Sequence, residues 1–275
     1  MSKRKEEELR ELIRSYESGI VAFSSGVDST YLLDIAHQEL GDKVIAVTAT
    51  SSLFPVRETD ETVDFCRSRN IKHILFPADE MSIQGFEDNP VDRCYICKKS
   101  LFGKISKIRD DEGLKEIMEG SNIDDDKDYR PGSRAIAELG IRSPLKEVGL
   151  SKEEVRTLSK ERGLSTWNKP SFACLATRIP YGEKITIEKL SMIERGEEIL
   201  SDLGFSQYRV RVHMGYGKDK ENNTFARIEI EPEEFSRLIN EDLRSIIYED
   251  FKNIGFTYVT MDLAGYRMGS MNEGI

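Results

Sequence analysis

Gly19-Ile-Val-Ala-Phe-Ser-Ser-Gly-Val-Asp-Ser-Thr30 sets a short apolar run against small and hydroxylated residues, and a helical pattern follows as far as Leu40. Gly19 to Phe23 reads as a buried strand and Ser24 to Ser29 as a loop. Thr30 to Leu40 reads as a helix with apolar residues at Leu32, Leu33, Ile35, Ala36 and Leu40. A loop of Ser24, Ser25, Gly26, Val27, Asp28 and Ser29 in that setting suits a phosphate. Small residues let backbone N–H groups approach, hydroxyls add donors, and the helix brings its positive end. Asp28 has no business attracting an anion, so its natural role is to hold Mg²⁺ bridging phosphate oxygens. A plainer reading has Asp28 or Ser29 capping a helix after a tight turn.

The same order repeats outward. Lys43 to Ala49 reads as a second strand, Glu58 to Arg69 as a helix and His73 to Pro77 as a third strand, with further strands expected at Glu116 to Gly120 and Ile141 to Leu145. Strands alternating with helices predict an α/β fold, a parallel sheet covered on both faces, with ligands beyond the carboxyl ends of the strands. Beyond Ile185 the pattern becomes a helix (Ile187 to Leu203), strands at Tyr208 to Met214 and Phe225 to Ile230, a helix opening at Pro232 and a last strand at Tyr258 to Leu263. This predicts a small C-terminal α+β domain. Pro and Gly punctuate Pro180 to Ile185, placing the division between 1–182 and 183–275. Arg209, Arg211 and His213 alternate with Val210, Val212 and Met214, so both arginines share one strand face.

Among 275 residues, 38% are hydrophobic and 33% charged, and no run approaches the ~20 apolar residues of a membrane span. The charged, helical start lacks the apolar stretch of a secretory signal, so a cytoplasmic protein is expected. A net charge of −10 argues against a large nucleic-acid footprint. In that compartment the four cysteines are ligands, nucleophiles or core residues rather than disulfides.

The loop resembles the SGGxDS signature of PP-loop ATP pyrophosphatases (adenine nucleotide alpha hydrolase-like), which cleave ATP between its α and β phosphates. Ser25 stands where that signature has Gly, which is expected to work only if the backbone there avoids positive φ. Four further stretches extend the resemblance over nearly the whole chain: Gly120-Ser-Asn-Ile-Asp-Asp125 with Asp128-Tyr-Arg-Pro-Gly-Ser-Arg-Ala135, Arg142-Ser-Pro-Leu145, Lys169-Pro-Ser-Phe-Ala-Cys-Leu-Ala-Thr-Arg-Ile-Pro-Tyr-Gly182, and Asp262-Leu-Ala-Gly-Tyr-Arg267. Together they are similar to the LarE family, the sulfur transferases that make the nickel-pincer nucleotide cofactor of lactate racemase. That resemblance implies adenylation of a carboxylate of pyridinium-3,5-biscarboxylic acid mononucleotide by ATP, release of pyrophosphate, and displacement of AMP by sulfur to give a thiocarboxylate. AMP is a good leaving group where a carboxylate oxygen is not, and Mg²⁺ with backbone donors stabilises the charge that develops.

Cys94-Tyr-Ile-Cys97 forms a C-x-x-C, and Cys174 lies in the segment with which the family delivers sulfur. Some members sacrifice a lone cysteine at that place. With three cysteines this chain looks like the branch in which Cys94, Cys97 and Cys174 hold a [4Fe–4S] cluster, leaving one iron to carry an extra sulfide from a sulfide donor. A redox pair or half a zinc site are competing readings of the C-x-x-C. Cys66 is expected in the core. The resemblance assigns substrate phosphate to Arg209 and Arg211, with Arg178 set against AMP or bracing its loop. Asn122, Asp124 and Asp125 are candidates for a metal or ribose contact, Asp124 standing with Asp28 for Mg²⁺, or for ordinary turn chemistry. Glu229 is left as strand polarity, and the three histidines as structural. Family members form symmetric oligomers, so a homo-oligomer is expected. Rival functions are a tRNA-thiolating enzyme of the same fold, an amidating synthetase using ammonia, and a non-enzymatic ATP-sensing or iron–sulfur protein.

Overall fold

The computed structural model describes residues 2–127, 131–170, 173–215 and 223–273. Asp128, Tyr129, Arg130, Ser171 and Phe172 of the resemblance-bearing stretches lie outside the described residues. The chain divides into two compact units, Met1–Ile83 with Asp92–Phe172, and Gln84–Val91 with Ala173–Ile275. The chain passes from one unit to the other at 83/84, 91/92 and 172/173, the last of these ten residues before the division drawn from the Pro and Gly punctuation. A short upstream segment belongs to the second unit because Asn89 is fully buried there. Its side-chain amide donates to the carbonyls of Ile179 (3.1 Å) and Pro180 (2.7 Å), and its own carbonyl accepts from Gly182 N–H.

The first unit runs α1 (Ser2–Tyr16), β1 (Gly19–Ala22), α2 (Val27–Leu40), β2 (Val44–Thr50), α3 (Val56–Ser68), β3 (His73–Pro77), α4 (Arg93–Asp111), β4 (Glu116–Met118), α5 (Gly132–Glu138), α6 (Pro144–Glu147) and α7 (Lys152–Glu161). All four strands are parallel, in the order β3-β2-β1-β4. β1, β2 and β4 are largely buried on both faces, which is why they read as continuous apolar runs, whereas edge strand β3 leaves Leu75 44% exposed. Val21, Val44, Ala46 and Met118 pack with residues of α1, α2 and α7. Ile20, Ile45, Val47 and Ile117 pack instead with Phe102 and Ile105 of α4 and Ile136 of α5. The expected strand at Ile141 to Leu145 is not formed. A single bridge joins Met118 to Arg142, and then Pro144 opens α6. Proline has no N–H for a ladder and its fixed φ suits a first helical turn.

The chain goes from β1 out to β2 and β3 and returns to β4 on the other side of β1. The crevice for a ligand in such a sheet lies where the order reverses, at the carboxyl ends of β1 and β4.

The second unit contains α8 (Ile187–Asp202), β5 (Tyr208–Met214), β6 (Thr224–Ile230), α9 (Phe235–Leu238), α10 (Glu241–Ile254) and β7 (Tyr258–Met261). β5 pairs antiparallel with β6, and β6 pairs parallel with β7. α8 packs on β5 through Gly196, where an added Cβ would lie 3.3 Å from the Val210 methyls. The helix expected at Pro232 is a 3₁₀ turn leading into α9. No helix among the described residues is long and apolar enough to cross a membrane.

Candidate functional site

β1 ends at Ala22 and α2 begins at Val27, so the loop from Ser24 stands at the carboxyl end of a central strand. Gly26 is the N-cap of α2 and makes no side-chain cap. Neither Asp28 nor Ser29 caps the helix. Ser29 Oγ donates back to the Gly26 carbonyl (3.2 Å) and accepts from Ser24 N–H (3.3 Å), drawing the loop into a closed turn. The first-turn N–H groups of a helix have no intrahelical acceptor, and together with the helix dipole they form an anion site.

Gly120, just past β4, closes this loop from the other side. An added Cβ there would lie 2.9 Å from Ser29 N and 3.2 Å from Asp28 Cβ, so only glycine permits the approach.

Asp28 is held by Asn122 and Lys152. Its Oδ1 accepts from the Asn122 amide (3.2 Å), and its Oδ2 is ion-paired with Lys152 at the start of α7. Burial, and Asp125 nearby, push the Asp28 carboxyl above its usual range against the pull of Lys152. Lys152 was not foreseen. Its signal in the sequence is the capping box Ser151 with Glu154, which fixes where α7 starts and so where Lys152 points.

Asp124 Oδ2 accepts from Lys152 N–H (2.9 Å), while Asp124 and Asp125 exchange hydrogen bonds with Asn122. Asp124 thus takes part in the turn at Asn122 and in the start of α7. A carboxylate at a helix N-terminus with a partly exposed side chain does fit Mg²⁺, and that is Asp28.

Ser25 overturns one expectation. Its φ is +52°, in the left-handed region where glycine is the usual occupant, and the residue is buried. Such a conformation costs a non-glycine residue roughly 1–2 kcal/mol. Its hydroxyl lies 3.1 Å from a Glu58 carboxylate oxygen and 3.0 Å from Lys169 Nζ.

Cys94 and Cys97 lie one turn apart at the start of α4, both half-buried. Lys98, the next residue, and Glu119, Ser121 and Asp125 line one cleft of about 200 Å³. Cys174 is half-buried in the second unit, immediately before the 3₁₀ turn Leu175–Arg178. Accessible thiols at helical spacing fit iron or zinc chemistry at Cys94 and Cys97, but among the described residues no group of three His, Cys, Asp or Glu side chains is placed to hold a metal ion. Cys66 is 1% exposed in the core, its thiol pushed up to about 12 by burial.

The three arginines come together in the second unit. Arg178 is fully buried and paired with Glu197 through Nε (2.8 Å) and Nη2 (3.0 Å), while its Nη1 donates to the carbonyls of Ala173 (2.6 Å) and Cys174 (3.1 Å). It braces the cysteine loop, the plainer of its two expected roles. Arg209 and Arg211 are buried rather than on a solvated face. Arg211 meets Glu229 (2.7 Å) and Ser270 (3.0 Å), and Arg209 lies over the Tyr266 ring at 5.1 Å. Burial, then Arg178 nearby, holds Arg209 down at about 10. Glu229, set aside in the sequence, is the fully buried centre of this network, which Asp262 extends through its ion pair with Arg227.

A phosphate loop between β1 and α2, an aspartate beside it and a close glycine after β4 define an ATP-dependent enzyme of the PP-loop class. No family model matches the chain. Over 92% of its length it is 35% identical to the pyridinium-3,5-bisthiocarboxylic acid mononucleotide synthase of Lactiplantibacillus plantarum, covering 88% of that protein. It is also 38% identical over 99% of its length to an uncharacterized Synechocystis protein, covering 98% of it. One of the subunits of the glutamine-hydrolyzing GMP synthase of Thermoplasma acidophilum is 26% identical over 66% of the chain and 63% of its own length. The chain belongs to the LarE family of sulfur transferases.

Proposed function

We propose that this protein adenylates a carboxylate of pyridinium-3,5-biscarboxylic acid mononucleotide with ATP and converts it to a thiocarboxylate. The observation that carries this is the turn from Ser24 to Ser29, closed by Ser29 Oγ and flanked by Gly120, with Asp28 and Lys152 side by side at its edge. The loop N–H groups and the α2 dipole receive the β and γ phosphates. Asp28 would hold Mg²⁺, which when bound polarises the phosphate oxygens. Lys152 brings a cation to the same loop and can neutralise charge on the departing pyrophosphate.

In the second unit Arg209 and Arg211 would take the phosphate of a mononucleotide, a reading supported by the clustering of Arg178, Arg209 and Arg211. Arg178 keeps the Cys174 backbone in place. Cys94, Cys97 and Cys174 would hold a [4Fe–4S] cluster, which when bound supplies an iron not closed by a fourth cysteine. Exposed Ile239, Ile246, Tyr248 and Tyr258 of the second unit support assembly into a homo-oligomer.

The test is pyrophosphate release from ATP with the dicarboxylate mononucleotide present. Asp28→Ala should lower the rate by about 10²–10³, the loss of one preorganised charge-stabilising group. Unchanged release in that variant would remove adenylation at this loop from consideration.

A further inference from the structure

Ser25 poses a question that the phosphate loop's own residues do not answer: what keeps a buried serine in a left-handed conformation. The groups around it come from two distant parts of the chain. Glu58, in the first turn of α3, lies with Oε2 3.1 Å from Ser25 Oγ, and its backbone carbonyl is 3.3 Å from the same hydroxyl. From the other side Lys169 Nζ donates to Ser25 Oγ (3.0 Å), to the Ser25 carbonyl (3.3 Å) and to Glu58 Oε2 (2.8 Å), and it also pairs with Glu61. Lys169 and Glu58 are both largely buried, their side chains 13% and 12% exposed. An ammonium on the carbonyl fixes the peptide that follows Ser25, the one carrying the Gly26 N–H.

Serine also supplies what glycine lacks. Its hydroxyl bridges Lys169 to Glu58, so the side chain that makes the conformation costly is the one that anchors it.

We propose that Lys169 is a positioning residue which, with Glu58, clamps Ser25 and so holds the phosphate loop in its anion-binding form. That the bound anion is the polyphosphate of ATP rests on the function proposed above; the clamp itself does not. Lys169 contacts the loop at Ser25 and acts through it. The clamp also accounts for a loop that departs from the glycine of the signature.

The experiment compares wild type, Lys169→Met, Ser25→Gly and the double variant, measuring ATP affinity by calorimetry and the urea midpoint without nucleotide. Without the lysine, Ser25 relaxes out of the left-handed region. Lys169→Met should weaken ATP binding about tenfold, equivalent to about 1.4 kcal/mol. Ser25→Gly in the Lys169→Met background should recover most of that loss, because glycine holds positive φ without a brace. A lysine that only stabilises the fold predicts the opposite: the double variant binds ATP no better than Lys169→Met, which overturns the proposal.

If wild type binds no ATP, the functional reading fails and the urea series still decides the clamp. Ser25→Gly should raise the midpoint in the Lys169→Met background and not in wild type. Additive midpoints in the two backgrounds would overturn the clamp on their own.

Discussion

Replacing Glu197 with glutamine removes the charge that faces Arg178 while keeping the shape of the side chain. Arg178 has no exposed side-chain surface and Glu197 has 3%, so the pair is dry, and the two contacts of 2.8 and 3.0 Å make it bidentate. Removing one partner of such a pair leaves a buried charge uncompensated, at a cost of about 3–5 kcal/mol. An exposed pair would cost about 0–1 kcal/mol.

Urea unfolding measures the loss, and hydrogen exchange locates it. Protection should fall in α8, in β5, whose Val210 N–H donates to Glu197, and in Ala173 to Ile179. Glu197→Met with Arg178→Met should recover most of the stability, since two apolar groups leave no buried charge. It should nevertheless leave Cys174 quick to react with iodoacetamide, because the Cys174 carbonyl has lost its arginine. A cost under about 1 kcal/mol for Glu197→Gln would refute the reasoning, since Glu197 would then be behaving as a solvated carboxylate. The pH dependence has a definite sign. Burial alone would raise the Glu197 carboxyl, but Arg178, Arg209 and the Val210 N–H outweigh it and leave it below the usual range. Its contribution is therefore present above the unfolded carboxylate pKa, near 4.3, and is lost as pH falls through the lower folded value.

His213 gives a second pH signature. Burial first, then Arg227 and Arg211, lowers its folded pKa to about 4, and its Nε2 accepts from Arg227 Nε at 3.1 Å, so the ring is neutral. Stability should be full above the unfolded value of about 6.5 and decline as pH drops towards 4, and His213→Asn should flatten that limb in urea titrations at a series of pH values. Anaerobically purified protein should contain about four irons with acid-labile sulfide, lost in each of Cys94→Ala, Cys97→Ala and Cys174→Ala. Iron-free protein that loses about 34 Da at Cys174 on turnover would indicate a sacrificial cysteine instead.

The parallel sheet was legible because each buried strand is short, apolar and followed by a helical period, as at Gly19 to Leu40. The expected fifth strand failed at Pro144, a residue that carried the information against it. Two long helices, α4 and α10, went unread. In α10 the signals were present, with the Asn240 side chain accepting from Asp242 N–H (3.2 Å) and Gly255 in the left-handed conformation after the last turn. In α4 the apolar residues share the surface with a basic run, Lys98, Lys99, Lys104 and Lys107, and the buried set is reduced to Arg93, Phe102 and Ile105.

The site divides along a different line. Residues contiguous with a strand–loop–helix unit, Ser24 to Ser29, could be read because their chemistry depends on neighbours in the chain. Lys152, Lys169, Glu58 and Glu197 depend on pairing across 124, 144, 33 and 19 positions respectively, with Asp28, Ser25, Ser25 and Arg178. A lone lysine or glutamate in a sequence that is 33% charged carries no sign of its partner. Burial distinguishes these residues from surface charges: a charged side chain withdrawn from water persists only where another group compensates it. For Lys152, Lys169 and Glu58 the partner is a residue of the phosphate loop. The charges hidden from sequence reading are therefore the supports of the residues that could be read, and the loop's geometry is a property of the whole first unit rather than of its six residues.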